Sequence, residues 1–243
     1  MKRLLTVLAA LVPLAFLAGG ALADGIKHRG LKDAPAGCVS KFHGFYAGVH
    51  GGYTAYTSHQ NDLDGYVFPA IPSGYTASDS GFSGGVQVGY NWQRCNVLFG
   101  IEADWSWADL DADTSVTSLG TPLGTLTSTL NSFGTIRTRA GLVLDNLLLY
   151  VTGGLAIADV DYRVTSNLLL GETASFGETR WGWTAGFGTE WALWDRVTLK
   201  SEVLYVSFGD EDYTFASTAL GTTVRFTTDD SFWVTRFGLN VKF

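Results

Sequence analysis

The chain has 243 residues, of which 46% are hydrophobic, 14% aromatic and only 16% charged, and its formal net charge is −7. Charge is too sparse and aromatic residues are too frequent for a disordered chain. The acidic balance disfavours a general nucleic-acid binder, because phosphate contacts need clustered lysine and arginine. The abundance of glycine, threonine and aromatic residues disfavours a helical bundle and favours β-structure.

Residues 1–23 are typical of a cleaved secretory signal. Lys2 and Arg3 precede an apolar stretch over 4–17, and Ala21-Leu22-Ala23 supplies the small residues of a cleavage site. The alternative is a membrane anchor, but the apolar stretch is shorter than the roughly 20 residues that a spanning helix needs. Cleavage after Ala23 removes two positive charges, so the mature net charge becomes −9. The mature chain is therefore either soluble and exported, or it crosses a membrane as β-strands.

Apolar and polar residues alternate with a period of two through the rest of the chain, which is the pattern of β-strands. Over 82–93, for example, Val86 and Val88 alternate with Gln87 and Gly89. We predict eight strands: 42–58, 80–93, 96–109, 131–144, 147–161, 179–194, 197–209 and 230–243. If Asp145-Asn146 forms a two-residue hairpin, Leu144 lies opposite Leu147.

The predicted connections alternate in length. Short turns at 94–95, 145–146 and 194–196 alternate with long segments at 59–79, 110–130, 162–178 and 210–229. This layout predicts an all-β fold: an eight-stranded antiparallel up-and-down transmembrane β-barrel with three short periplasmic turns and four long extracellular loops. We expect residues 24–41 to form a periplasmic N-terminal segment and 42–243 to form the barrel domain.

The rival fold is a soluble ligand-binding barrel of the lipocalin type, in which the apolar face points inward. Here the polar face is rich in glycine, serine and threonine, which suits a narrow, filled interior. The apolar face carries aromatic residues near the strand ends, as a membrane girdle does. The predicted girdle consists of Trp92, Trp105, Trp107, Trp181, Trp183, Trp191 and Trp233, and Tyr46 is placed on the same apolar face.

Eight charged residues fall on the predicted inner face, four of each sign. They are Glu102, Asp104, Glu190 and Glu202 against Arg137, Arg139, Lys200 and Arg236. A buried charge without a partner costs several kcal/mol, so we expect ion pairs, between the β-strand of Glu102 and that of Arg137 and between Glu190 and Lys200. An ionic plug of the lumen explains these residues better than catalytic carboxylates do.

The end with the long loops is strongly acidic. Fifteen acidic residues there, including Asp230, stand against Arg163, Arg180 and Arg225, which gives −12, whereas the short-turn end is +3. Asp109, Asp111 and Asp113 resemble the start of a calcium loop, but the sixth and twelfth positions are Thr114 and Gly120, so the EF-hand pattern fails. A loose divalent-cation site bridging anionic lipid headgroups remains a hypothesis.

The histidines and cysteines support few further sites. No nucleophile motif accompanies the four histidines, so we expect neither an enzyme nor a resident metal or cofactor. We expect His50 to face the lumen and His59 to begin the first long loop. Cys38 and Cys95 both fall at the short-turn end, beside neighbouring strands, and an exported protein meets an oxidising compartment, so we predict a Cys38–Cys95 disulfide.

Several motifs resemble a known family, the small eight-stranded outer-membrane β-barrel proteins of alphaproteobacteria, called porin family proteins. The matching segments are GFYAG at 44–48, GVQVGYNWQ at 85–93, GIEAD at 100–104, GTIRTRAG at 134–141, LYVTGGLA at 149–156 and VTRFGLNVKF at 234–243. The resemblance implies that the terminal Phe243 is the signal read by the barrel-assembly machinery. It also implies envelope-structural, host-interaction or haemin-binding roles in various members, and no catalytic residues.

The sequence therefore predicts an integral protein of the cell outer membrane, in contact with lipid and lipopolysaccharide, that stabilises the envelope and displays acidic loops. One alternative is a narrow pore for small solutes. Another is a surface module for haemin or host adhesion, in which His50 and His59 would be the residues to replace. The partner of the loops and the oligomeric state stay open.

Overall fold

The barrel is formed by eight long strands. The computed structural model describes residues 40–62, 75–118, 121–166, 172–217 and 222–243. Within these residues the strands are β1 Gly44–Asp62, β2 Tyr75–Arg94, β3 Val97–Ser118, β4 Thr121–Leu144, β5 Leu147–Ser166, β6 Glu172–Ala192, β7 Val197–Ser217 and β8 Thr222–Lys242. Each strand pairs antiparallel with its sequence neighbours and β1 pairs with β8, which confirms the predicted closed eight-stranded barrel.

Parts of the predicted domain organisation lie outside the described residues. These parts are the signal peptide and all but the last two residues of the segment 24–41. Among the described residues no helix is long and apolar enough to span a membrane.

Alternate residues face the outside and the lumen, as the period-two pattern predicts. On β2, Val86 and Val88 are about half exposed on the outer wall, whereas Gln87 is buried. The hairpin after β4 has the predicted register, with Leu144 opposite Leu147 across Asp145-Asn146. Asp145 and Cys95 both have φ near +54°, a left-handed conformation that lets short turns close each of these hairpins. We call the end that carries these turns the turn end, and the opposite end the outer end.

The predicted long loops are wrong in their extent. Residues 110–118 and 121–130 continue β3 and β4 as a hydrogen-bonded ladder, and the other three predicted loops are also partly strand. In these extensions the outward face is polar, with Asp111 and Asp113, whereas Leu110, Ala112 and Leu130 are buried on the lumen side. The sense of the alternation is therefore the reverse of that in the membrane belt, and threonine and serine between these residues favour or tolerate the strand conformation.

Three irregularities in register lie at similar heights near the outer end. They fall between Trp107 and Leu110 on β3, between Leu130 and Ser132 on β4, and between Ser207 and Asp210 on β7. Each of these bulges inserts one extra residue into its strand, which bends the strand and changes its twist.

The lumen is filled in layers. At the turn end, Phe42, Leu98, Val143, Leu148 and Tyr150 form a small apolar layer. Toward the outer end, a larger apolar layer is built from aromatic, leucine, valine and alanine side chains, among them Phe133, Phe208 and Phe232. The eight charged residues that the sequence predicts to face inward lie between the two layers.

Candidate functional site

The candidate site is a cluster of charged side chains in the middle of the lumen. β3, β4, β6, β7 and β8 contribute to it, because each carries charged residues at inward positions of its period-two pattern. All eight predicted residues are buried: Glu102, Asp104, Arg137, Arg139, Glu190, Lys200, Glu202 and Arg236. We call these eight residues the lumen cluster.

Arg137 is the central cation of the lumen cluster. Its guanidinium lies 2.5 Å from Glu102 Oε1, 2.9 Å from Asp104 Oδ2 and 2.9 Å from Glu202 Oε1. Charge-assisted bonds of this kind are roughly twice as strong as neutral ones. Arg137 therefore joins carboxylates from β3 and β7, on two sides of the barrel.

Two further cations bind the same carboxylates. Lys200 Nζ lies 2.6 Å from Glu102 Oε1 and 3.4 Å from Glu202 Oε2. Arg236 lies 2.9 Å from Asp104 Oδ1 and 2.8 Å from Glu202 Oε2. Each carboxylate in this part of the lumen cluster thus has two or more cationic partners, which compensates the loss of water around it.

Arg139 and Glu190 form a further pair nearer the turn end, and Arg139 Nη1 also lies 3.6 Å from Glu102 Oε2. Arg139 Nη1 lies 2.9 Å from Glu190 Oε2, and the guanidinium carbon lies 4.7 Å from the ring centroid of Tyr46 and 5.3 Å from that of Tyr150. The predicted register of Glu190 opposite Lys200 is present. The carboxylate nevertheless binds Arg139, while the long side chain of Lys200 reaches Glu102 in the centre of the lumen.

Neutral side chains add hydrogen bonds to the carboxylates of the lumen cluster. Tyr46 donates to Glu102 Oε2 at 2.6 Å and Tyr150 donates to Glu202 Oε1 at 2.9 Å. The placement of Tyr46 on the outer face is therefore wrong. The alternation along the glycine-rich β1 is irregular. It nevertheless places Val49 and Tyr53 on the outer face, and Tyr46 lies an odd number of residues from both, which predicts the inner face for Tyr46. His50 faces the lumen and its Nε2 lies 2.8 Å from Ser106 Oγ.

A second buried ion pair lies nearer the outer end. Arg180 Nη1 lies 3.0 Å from Asp230 Oδ2, and Arg180 Nη2 donates to the Gly209 carbonyl at 2.8 Å. Tyr56 donates to Asp230 Oδ1 at 2.7 Å and Tyr162 donates to Oδ2. Burial, together with the Asp230 carboxylate, raises the pKa of the Tyr162 phenol, which keeps this group a neutral donor.

The assignment of Arg180 and Asp230 to the exposed acidic end is wrong. The two residues lie at the start of the predicted strands 179–194 and 230–243, but eight residues inside the observed strands β6 and β8, and both are inward in parity. Because they carry opposite charges, moving both inside leaves the net charge of each zone unchanged.

The seven predicted girdle tryptophans are exposed on the outer wall, at between 39% and 66% of their surface. Trp92 and Trp191 lie toward the turn end, and Trp92 contacts Tyr90 with ring centroids 4.7 Å apart. The other five lie toward the outer end: Trp105, Trp107, Trp181, Trp183 and Trp233. There the ring centroid of Tyr205 lies 5.5 Å from that of Trp183 and 4.9 Å from that of Trp233. The wall therefore carries an aromatic band at each side of its apolar belt.

The remaining predicted sites are only partly described. Cys95 is disulfide-bonded, and the chain has one other cysteine. Cys38 lies outside the described residues, so its part in the predicted bridge stays a prediction. The terminal Phe243 is exposed, and its backbone N–H donates to the Phe45 carbonyl at 3.0 Å.

The outer wall beyond the membrane belt carries a polar cavity. It has a volume of about 520 Å³, and Asp111, Asp113, Asp161, Thr127 and Thr129 are among its lining residues. Thr129 and Thr127 donate to Asp111 and Asp113 at 2.7 Å. Among the described residues no group of three histidine, cysteine or acidic side chains could hold a metal ion.

A closed barrel with an apolar outer wall, two aromatic bands and a filled lumen defines an integral outer-membrane β-barrel protein. A family model described as outer membrane protein beta-barrel domain matches residues 9–226, so the chain belongs to this family. This confirms the family resemblance and the location in the cell outer membrane.

Known relatives and a solved structure agree with this family. The chain is 33% identical over 214 residues to the 31 kDa outer-membrane immunogenic protein of Brucella melitensis biotype 1, covering 82% of this chain and 83% of that protein. It is 28% identical over 247 residues to the 25 kDa outer-membrane immunogenic protein of the same organism, covering 100% of this chain and 99% of that protein. The outer membrane protein OprG from Pseudomonas aeruginosa has the same fold, with a TM-score of 0.59 and 16% sequence identity. The match covers 84% of this chain and 99% of that one.

Proposed function

We propose that this protein is a non-enzymatic, envelope-stabilising barrel whose lumen is sealed by the lumen cluster and which displays its acidic outer end at the cell surface. The observation that carries the proposal is the pairing inside the barrel. Each of the eight charged side chains is buried and lies within 4.0 Å of an opposite charge. An eight-stranded barrel is just wide enough for side chains to fill its interior.

The apolar layers reinforce this seal. On the outer side of the lumen cluster, the ring centroid of Phe232 lies 4.8 Å from that of Phe133 and 5.8 Å from that of Phe208. Leu98 and Leu148 are fully buried on the turn side. A hydrated solute would have to cross both apolar layers and separate the ion pairs between them.

Planar-bilayer conductance tests the sealed lumen. We expect the refolded wild-type protein to give no stable open steps. The charge-neutral double variant Glu102→Ala/Arg137→Ala is expected to give small steps, because it empties the centre of the lumen cluster. The matched control Asp113→Ala/Arg163→Ala changes one acid and one base on the outer wall and should behave like wild type. Stable steps from the wild type would establish the small-solute pore instead.

The envelope role has its own test in cells. A strain lacking this protein is expected to become more sensitive to detergent and to shed more vesicles, and the intact chain supplied from a plasmid should restore the wild-type behaviour. An unchanged deletion strain would contradict the structural role while leaving the sealed lumen intact.

The haemin alternative gains no support from the two histidines. His50 is buried in the lumen, whereas His59 is exposed and its Nδ1 lies 2.8 Å from Thr76 Oγ1. Nine residues of strand separate them, which is roughly 30 Å at about 3.3 Å per residue. One haemin molecule therefore cannot take both as ligands.

Two of the predicted partners form part of the proposal. The barrel-assembly machinery would read the exposed Phe243, and divalent cations would bridge the acidic outer end to anionic lipid headgroups. Calorimetric titration with calcium tests the second; no heat of binding would remove it.

A further inference from the structure

The wall of the barrel is open between β6 and β7 toward the outer end. The ladder joins Trp183–Ala192 to Thr198–Ser207 and, among the described residues, stops there. β6 nevertheless begins at Glu172 and β7 continues to Ser217. Along the same stretch β6 stays paired with β5, and β7 stays paired with β8. We call the space between residues 172–182 and 208–217 the β6–β7 cleft; among the described residues no backbone ladder joins β6 to β7 along it.

A bulge on β7 opens the cleft. Phe208 and Gly209 together oppose the single residue Asp230 in the pairing of β7 with β8. Gly209 has φ of +70°, the left-handed conformation of a glycine bulge. The bulge turns the rest of β7 away from β6, and the guanidinium of Arg180 binds the Gly209 carbonyl at the foot of the cleft.

The cleft lies beyond the membrane belt. Its foot is level with the outward Trp181 and Trp183 of the outer aromatic band, and its two edges continue toward the outer end. Unpaired backbone groups cannot face hydrocarbon, where no water satisfies them. Both edges are therefore in contact with solvent, and an open strand edge is a ready template for an added strand.

The charged residues around the cleft determine which kind of added strand would bind there. Asp210, Glu211 and Asp212 follow the bulge on β7 and are exposed, and the half-buried Glu178 lies on β6. Arg180 lies in the lumen, where it binds Asp230, and its Nε lies 3.1 Å from Glu211 Oε2 across the foot of the cleft, so the acidic charge left at the cleft is that of Asp210, Asp212 and Glu178. A second copy of this chain would bring the same acidic residues to its own cleft, and like charges across a strand pair are destabilising.

We propose that the β6–β7 cleft binds an extended basic peptide segment of a partner molecule by strand addition. The backbone of the segment pairs with the open edges, and its lysine or arginine side chains face Asp210, Asp212 and Glu178. This role goes beyond envelope stabilisation and does not depend on whether the lumen conducts.

Peptide binding to the full-length mature protein in zwitterionic nanodiscs tests the proposal. The probe is a fluorescent peptide of alternating lysine and valine, and its binding is followed by anisotropy against empty nanodiscs. One comparison peptide is methylated at alternate backbone nitrogens, which preserves the charge but prevents strand pairing. Another has glutamate in place of lysine. We expect the lysine peptide to bind and both comparison peptides to bind at least about tenfold more weakly.

Matched variants locate the site. Asp210→Asn/Asp212→Asn should weaken binding of the lysine peptide about five- to tenfold, because two charge contacts are lost. Asp111→Asn/Asp113→Asn is the control: it removes two charges that also accept threonine hydrogen bonds, on β3, three strands along the wall from β6. Amide hydrogen exchange should be fast over 172–182 and 208–217 in the free protein and slower with the peptide.

Several results would overturn the proposal. Equal binding of the methylated peptide would mean attraction by charge alone, and equal loss in both Asn variants would place the peptide elsewhere. Slow exchange of both edges in the free protein would mean that the wall is closed. No peptide binding, together with saturable binding of an apolar dye that slows amide exchange over 172–182 and 208–217, would make it a site for apolar small molecules.

Discussion

Arg137 is the residue on which the lumen cluster depends most, because three carboxylates lie within 2.9 Å of its guanidinium. Replacement by methionine keeps much of the volume but leaves Glu102, Asp104 and Glu202 short of positive charge. Removing one partner of a buried pair typically costs about 3–5 kcal/mol. We therefore expect Arg137→Met to lower the free energy of unfolding in urea by about 3 kcal/mol or more, measured by the tryptophan fluorescence of the protein refolded in lipid.

The exposed Arg163 provides the control for this experiment. Arg163→Met should change the free energy of unfolding by less than about 0.5 kcal/mol, as surface substitutions usually do. Arg137→Lys should fall between the two variants, because a lysine retains the charge but cannot bind carboxylates in a forked geometry. If Arg137→Met were as stable as wild type, the lumen cluster would not be the stabilising element described above.

Parity along a strand is what allowed charged residues to be assigned to the lumen from sequence. Glu102 and Arg137 lie in strands with a strong alternation, so their direction was predictable. Their ion-pair partners were harder to predict, because long side chains reach across the lumen to strands that are not neighbours, as Lys200 does to Glu102. Arg180 and Asp230 were missed because each is the first or second residue of a predicted strand, 179–194 or 230–243, and was counted with the charges of the adjoining loop and not by its inward parity.

The inward glycines show how closely the strands approach one another. A Cβ atom added to Gly154 on β5 would lie 2.1 Å from the Ile136 carbonyl oxygen and 2.7 Å from the Arg137 Cα of β4. Backbone atoms cannot yield as flexible side chains do, and overpacking of this kind costs about 1–3 kcal/mol. We expect Gly154→Ala to lower the midpoint of urea unfolding and to displace the neighbouring Arg137.

Gly153 is the matched control, one residue away on the lipid-facing side of β5. There a Cβ atom would come no closer than 3.4 Å to any atom, the carbonyl oxygen of Thr184. Gly153→Ala should leave the unfolding midpoint unchanged or raise it slightly, because alanine restricts the unfolded chain. An equal loss in both variants would mean that the effect comes from strand propensity and not from the contact with β4.

At the level of elements, the number, order and pairing of the strands were predictable because a lipid environment imposes a strong alternation on every strand that crosses it. The ends of the strands were not predictable in this way. Beyond the aromatic band the outer wall meets water and not lipid, so in residues 110–118 and 121–130 the outward positions become polar, as at Asp111 and Asp113, while Leu110 and Leu130 stay buried and the backbone pairing continues. The bulge at Gly209, which opens the β6–β7 cleft, has no signature in hydropathy at all.

For the whole molecule, the two aromatic bands and the apolar belt between them define how the barrel sits in the bilayer. Seven of the eight tryptophans are exposed on the outer wall, in one band near each side of the belt, and Trp194 is exposed in the turn after β6. Aromatic side chains prefer the level of the lipid headgroups, so both bands should lie at interfaces and not at the bilayer centre.

Lipids brominated at different depths test this placement through the tryptophan fluorescence of the reconstituted protein. We expect bromine near the headgroups to quench more strongly than bromine at the chain ends, because the exposed tryptophans lie in the two bands. Replacing Trp181, Trp183 and Trp233 by phenylalanine thins the outer band, but the remaining emission should keep the shallow profile, since Trp92 and Trp191 lie in the other band. Quenching that is strongest at the bilayer centre would contradict the two-band arrangement, and no quenching by any brominated lipid would mean that the apolar wall does not face the membrane.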